Sequence, residues 1–213
     1  MKNKFITIAG LFILFATLQS CNNALNFEDY VQYIKEPANG LTKNKTVGGI
    51  AIRVMHLPVN YQTYNELKIK KGSVLKNEID SIKNTYASSF TFLMTIGPDG
   101  NETVDITKLG VSSWEEFNQR IMDMSFNMGS MVKLKIGKKE LVPEIAQMER
   151  TYGLRKSSDL LFVFNSSDLI LNEDEKIDFV FSDELFFTGI TKFRFDRDDI
   201  LNTPPLRIDK HIL

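Results

Sequence analysis

The chain has 213 residues, with 26 Lys and Arg against 27 Asp and Glu and a formal charge of −1. Hydrophobic residues make up 43% and charged residues 25%, a globular composition that excludes disordered, collagen-like and polytopic membrane chains. The balanced charge removes the electrostatic basis for nucleic-acid binding, and one Cys with two His excludes cysteine-rich zinc sites and disulfide scaffolds.

Residues 1–20 read as an export signal. Lys2 and Lys4 give a positive start, and Phe5 to Leu18 is an uncharged, largely apolar run. At 14 residues it falls short of the ~20 that a membrane-crossing helix needs. It ends in Leu18-Gln19-Ser20-Cys21, and polarity then rises at Asn22-Asn23. Leu18-Gln19-Ser20-Cys21 resembles the lipobox of bacterial lipoproteins. The resemblance implies cleavage before Cys21, a thioether from its sulfur to diacylglycerol, and an acyl chain such as palmitate on the new amine. It also implies a lipid-anchored place in the cell envelope. The outer membrane is the default because Asn22 follows the Cys; the periplasmic and surface faces both stay open. The alternative readings of the segment are a plain secretory signal with an incidental Cys and an uncleaved anchor helix. Residues 21–26 are then a lipidated Cys and a short tether, and residues 27–213 the globular part. At roughly 0.8 kcal/mol per buried methylene, two or three acyl chains hold such a protein on a membrane. With Cys21 lipidated no thiol remains for a disulfide, so core packing alone must stabilise the fold.

In chain order, Phe27, Tyr30, Val31 and Ile34 predict a short amphipathic helix over 27–35. Pro37-Ala38-Asn39-Gly40 breaks it. Ile50, Ile52 and Val54 alternate within a predicted strand over 47–57, ended by Pro58. Tyr61, Tyr64, Leu67, Leu75, Ile79, Ile82 and Tyr86 predict one helix over 61–86, interrupted near Lys71-Gly72-Ser73. A strand over 90–96 follows, then a turn at Pro98-Asp99-Gly100-Asn101. Ser113-Trp114-Glu115-Glu116 is a capping box that opens a helix with Trp114, Phe117, Ile121, Met124 and Met128 on one stripe, stopping near Gly129. Beyond residue 130, where any subdivision would fall, the period becomes two. Strands are predicted at 132–136, 141–152, 160–164, 177–181 and 192–195, with a last extended piece over 206–212 after Thr203-Pro204-Pro205. The reading is an antiparallel, β-rich α+β fold of about seven or eight strands. Its two or three helices fall mainly in the N-terminal half, and the C-terminal half is β-sheet.

The lipobox, the strand ending in Leu57-Pro58, the Tyr-striped helix and Glu149-Arg150-Thr151-Tyr152-Gly153-Leu154 before an aromatic strand are together similar to small uncharacterised lipoproteins of Gram-negative bacteria. No activity follows from that resemblance.

Few residues are candidates for chemistry. His56 shares the register of Ile50, Ile52 and Val54 and reads as a histidine at the core rim; His211 lies in the C-terminal tail. No nucleophile elbow or phosphate loop is present. The acidic clusters Glu173-Asp174-Glu175, Asp183-Glu184 and Asp196-Arg197-Asp198-Asp199 lack a calcium-loop frame and read as solvated loops or a helix start. Among the methionines, Met124 and Met128 fit the core and Met122 does not.

The sequence assigns no catalytic residue, cofactor or metal ligand; Cys21 is the one site residue, for lipid attachment. The expected function is a non-catalytic envelope lipoprotein, joined to a membrane through acyl chains on Cys21 and docking on an envelope protein complex. Two alternatives stand beside it. One is a lipid-anchored hydrolase acting on envelope glycan or peptide through Asp174, Asp183, Asp196 and Asp198. The other is a carrier of a small apolar ligand.

Overall fold

The computed structural model describes residues 24–70, 76–100, 104–149, 154–167, 169, 171 and 175–208. The export signal, Cys21, Gly72, Glu173-Asp174 and His211 lie outside the described residues.

Among the described residues, nine strands form two wholly antiparallel sheets. The first contains β1 (Thr42–Val47), β2 (Ile50–His56), β3 (Ser89–Pro98), β6 (Ile145–Met148) and β7 (Ser158–Asn165), in the order β1-β2-β3-β7-β6. The second contains β4 (Val132–Ile136), β5 (Lys139–Leu141), β8 (Lys176–Asp183) and β9 (Gly189–Asp196), in the order β5-β4-β8-β9. Five α-helices accompany them: α1 (Phe27–Lys35), α2 (Val59–Ile69), α3 (Lys76–Ala87), α4 (Trp114–Met122) and α5 (Arg197–Leu201). The fold is α+β, with three of the helices before β3 and the later half dominated by strands.

The sheets are joined by aromatic packing. Alternation sends Phe92, Phe162 and Phe164 from the first sheet and Phe179, Phe193 and Phe195 from the second into one shared core, and each of these residues is almost fully buried. Phe179 is the hub. Its ring centroid lies 5.4 Å from Phe92, 5.7 Å from Phe162, 6.2 Å from Phe164 and 6.4 Å from Phe193, mostly edge to face.

The strand predicted over 141–152 is two strands in different sheets, β5 beside β4 and β6 beside β7, parted at Val142-Pro143-Glu144. Two other elements also differ from the sequence expectation. β1 is an additional strand, because its middle residues Lys43, Asn44, Lys45 and Thr46 carry no apolar alternation. It joins β2 through Gly48-Gly49, whose φ values of 59° and 81° suit a tight two-residue hairpin. The helix predicted over 61–86 with its interruption agrees with α2 and α3, which Tyr86 ties together by donating to Glu66 Oε2 at 2.8 Å. The helix opened by Ser113 is regular only to Met122. Asp123–Asn127 form a π turn and Met128–Met131 a 3₁₀ turn.

The sandwich has two unlike ends. At one, Thr42 donates to the Ile34 carbonyl at 2.7 Å, α2 follows β2, and α5 follows β9. Gly40 (φ 81°) passes so close to Asp199 that a Cβ there would sit 1.9 Å from its carboxylate, so only glycine fits. The chain enters at this helical end. Leu25 donates to the Pro205 carbonyl at 2.9 Å, and its own carbonyl accepts from Arg207 at 2.8 Å. At the other end lie α4 and the β8–β9 turn, joined by the Arg120 guanidinium, 4.6 Å above the Phe186 ring. The eight residues of β9 separate the ends by about 25 Å.

Removing the hub ring should leave a cavity against four others. Phe179→Ala is expected to destabilise the domain by about 3–5 kcal/mol, and Phe179→Leu by clearly less. Urea midpoints at unchanged m-value measure both.

Candidate functional site

The non-helical end carries the surface that departs most from ordinary folding rules. Phe187, in the β8–β9 turn, has a left-handed backbone (φ 59°), the one such non-glycine residue among those described. Its side chain is 90% exposed. Left-handed geometry costs an L-residue roughly 1–2 kcal/mol, and an exposed phenyl gains nothing from the core to offset it.

Asp183 holds the turn in this shape. Its carboxylate is buried and fully engaged. Oδ1 accepts from the Leu185 and Phe186 amides at 2.9 and 3.0 Å, and Oδ2 accepts from the Thr188 amide and hydroxyl at 2.8 and 2.7 Å. Leu185 and Phe186 are drawn inward onto the core, and Phe187 is left outside. Ile190, first in β9 after Gly189, is 79% exposed.

The aromatic surface continues onto α4. Ser113 Oγ accepts from the Glu116 amide at 3.1 Å, so Ser113 caps the helix as predicted, while the Glu116 carboxylate accepts from the Ser112 amide at 2.7 Å, one residue before the N-cap amide of a strict capping box. No residue of α4 is fully buried. Trp114, expected on the core stripe, is 74% exposed and packs on Phe117 at 5.3 Å. Trp114 is the first residue of α4, and the stripe grades inward from it: Phe117 and Ile121 are half-buried, and Met124 and Met128 are buried. Met122 is exposed, as its position off the stripe predicts. Trp114 packs on Phe117, and Arg120, one turn beyond Phe117 on α4, covers Phe186, the residue before Phe187 in the β8–β9 turn. Glu115 and Glu116 directly follow Trp114 in the chain, Asp123 follows the end of α4, and Glu184 precedes Leu185 in the β8–β9 turn, so the flanking sequence is acidic. Exposed Trp and Phe around an Arg is the composition of a protein-binding hot spot.

The alternation pattern did not disclose this face. Its signal was the adjacent pair Phe186-Phe187 in a hairpin turn, where glycine and small polar residues are usual.

The acidic residues do not converge. Asp183 pairs with Gly189 at one end of the β8–β9 ladder and Lys176 with Asp196 at the other. Asp196 pairs with Lys176 at 2.6 Å and Asp198 with Arg197 at 3.0 Å. Among the described residues no group of three His, Cys, Asp or Glu is arranged to hold a metal. Cys21 and Asp174 lie outside the described residues. No described helix is long and apolar enough to cross a membrane.

His56, the last residue of β2, is buried more deeply than a rim residue, with its ring 5.2 Å from Phe92 and 6.1 Å from Phe90 of β3. Its Nδ1 has no hydrogen-bond partner. Burial pushes its pKa down to about 4, against a smaller opposing effect from its bond to the Thr91 backbone. At neutral pH the ring is an uncharged core residue.

No protein-family model matches the chain, and no curated protein matches it. A solved structure with some similarity is a DUF4426 family protein from Pseudomonas aeruginosa PAO1, at 10% identity and a TM-score of 0.36, covering 74% of this chain and 93% of that one.

His56 yields a pH prediction. Its folded pKa of about 4 lies below the ordinary 6.5, so protons bind the unfolded chain first. Stability is full above pH 6.5 and is lost as pH falls toward 4. Between pH 7 and 4 the native chain should lose about 3 kcal/mol more than His56→Leu, from the ~1.36 kcal/mol that each pKa unit carries. Urea titrations of both proteins at the two pH values measure the difference.

Proposed function

We propose that this chain is a lipid-anchored module of the bacterial cell envelope, held to a membrane, by default the outer membrane, through acyl chains on Cys21. Its work is to dock a protein partner with the aromatic face of α4 and the β8–β9 turn. The observation that carries the docking reading is Phe187: a large apolar side chain presented to solvent on a strained backbone, with a buried carboxylate used up in maintaining it. Local strain persists where a site requires it.

The partner's chemistry follows from the face. An apolar recess would take Phe187 and Trp114, and cationic residues around that recess would meet Glu115, Glu116, Asp123 and Glu184. The lipobox resemblance of Leu18-Gln19-Ser20-Cys21 supports the anchor. Cys21 precedes Leu25 by four residues, so the anchor attaches within about 14 Å of the helical end. The aromatic face lies at the opposite end, beyond the length of β9. That separation favours a protein partner over insertion of the face into the same membrane.

Mass spectrometry of the full chain purified from cell envelopes should show loss of residues 1–20 and the added mass of diacylglycerol and acyl groups. Cys21→Ala should lose both changes and leave the membrane fraction on carbonate wash. An unmodified Cys21 in membrane-bound protein would refute the anchor.

The face makes an opposite pair of predictions. Phe187→Gly should stabilise the fold by about 1 kcal/mol, since glycine adopts the left-handed backbone freely but adds unfolded-state entropy. Phe187→Ala should not stabilise it. A photo-crosslinking residue at position 187 should trap one discrete protein in intact cells, and the same residue at exposed Ile69 should not. Cross-links at 187 no different from those at 69 would refute the docking face.

A further inference from the structure

A second surface lies along the flank of the sandwich, where the outer strands of the two sheets come side by side. β1 and β9 are both edge strands, and they run past each other without pairing. A groove of about 650 Å³ lies between them, lined by Lys43, Asn44, Lys45, Lys192, Phe193 and Arg194 among others.

The two lysines of β1 point the unusual way. In the β1–β2 register Lys43 is opposite Val54 and Lys45 is opposite Ile52, both core residues, so the lysines share the inner face of the sheet. Their amines lie over the open rim of the core, Lys43 at 5.8 Å from the Phe195 ring and Lys45 at 5.7 Å from Phe193. Across the groove, Lys192 and Arg194 share Asp178, at 3.1 and 2.8 Å. Lys43 and Lys45 have no carboxylate partner among the described residues. The groove is therefore positive, and its two uncompensated charges lie on one strand.

The backbone beside them is open as well. The His56 amide donates to the Leu41 carbonyl at 2.8 Å, which places Leu41, Lys43 and Lys45 at the positions bonded to β2. Asn44 and Thr46 then aim their N–H and C=O groups away from β2, toward whatever lies beside the edge. Lys43 and Lys45, two residues apart on one face, are spaced by about 7 Å, the same repeat as side chains i and i+2 of any extended strand.

We infer that the β1 edge binds an extended acidic segment of a partner protein as an added strand, with carboxylates at i and i+2 opposite Lys43 and Lys45 and main-chain hydrogen bonds to Asn44 and Thr46. Inward lysines on an edge repel neutral or apolar strands, which would desolvate them without recompense. A strand that brings a carboxylate to each lysine removes that penalty, so one device both excludes most strands and selects acidic ones. The inference is independent of the aromatic face, which lies at an end of the sandwich rather than on its flank.

The test uses the full chain in detergent micelles and three labelled ten-residue peptides. One alternates glutamate with threonine, one alternates lysine with threonine, and one has the first composition with all glutamates in a single block. Fluorescence anisotropy should show binding of the alternating acidic peptide at least tenfold tighter than either other peptide. Amide exchange at Asn44 and Thr46 should slow in its presence. Lys43→Gln with Lys45→Gln should weaken binding at least tenfold, whereas Lys138→Gln, which removes a charge elsewhere, should not. Lys43→Glu with Lys45→Glu should reverse the preference toward the alternating lysine peptide, a gain that a misfolded variant cannot produce. Three results would each overturn the inference: no binding of the alternating acidic peptide, equal binding of the blocked one, or binding without protection of Asn44 and Thr46.

Discussion

The edge-to-face packing of Phe179 against rings from both sheets is the interaction on which the rest of this structure depends. With one Cys the chain cannot close an internal disulfide. What holds it together is the meeting of two inner faces, and that meeting centres on Phe92, Phe162, Phe164, Phe179, Phe193 and Phe195. Bulky rings set the separation of the sheets and leave their margins unjoined. Where β1 and β9 pass, the gap is covered by lysine stems over Phe193 and Phe195 instead of by a further strand. The open flank is a geometric consequence of the aromatic core.

Much of the fold could be read from the sequence because alternation is strongest where both faces of a strand have settled environments. β2, β3, β4, β7, β8 and β9 each carry a clear inner set, and Ile50, Ile52 and Val54 or Ile177, Phe179 and Phe181 are buried as their spacing requires. β1 escaped because an edge strand whose inner positions are Lys43 and Lys45 presents no apolar period, although Gly48-Gly49 is a hairpin signal. Trp114 escaped for another reason. It opens α4 on the same stripe as half-buried Phe117 and Ile121, and a helical period shows which face packs but not where along the helix the packing ends. Both proposed surfaces sit on these departures. A period reports burial, and binding surfaces are where burial and period part.

The strained turn also has a chemical logic. A hairpin turn can satisfy its amides with water, and most do. Here the buried carboxylate of Asp183 takes three amides and a hydroxyl, which fixes the turn tightly enough to keep Phe187 in left-handed geometry. A phenyl on a floppy loop would lose conformational entropy on binding; one fixed beforehand does not. The arrangement exchanges folding stability for readiness to bind, and the exchange is confined to the five residues between Asp183 and Gly189.

Placing the anchor and the aromatic face at opposite ends has a mechanical consequence under the proposed lipidation. A short tether at Leu25 keeps the helical end near the bilayer, so the face is held roughly a domain length above it while the domain pivots. A partner in the same membrane would need a part that reaches this height; a partner in the adjoining compartment would not. The β1 flank runs along the length between the two ends, so a strand added there would lie along the domain, between membrane and face. One extended partner could therefore engage both surfaces in sequence, and two weak contacts on one rigid body reinforce each other through effective concentration. Rigidity between the sites makes that possible, and the ring packing around Phe179 supplies the rigidity.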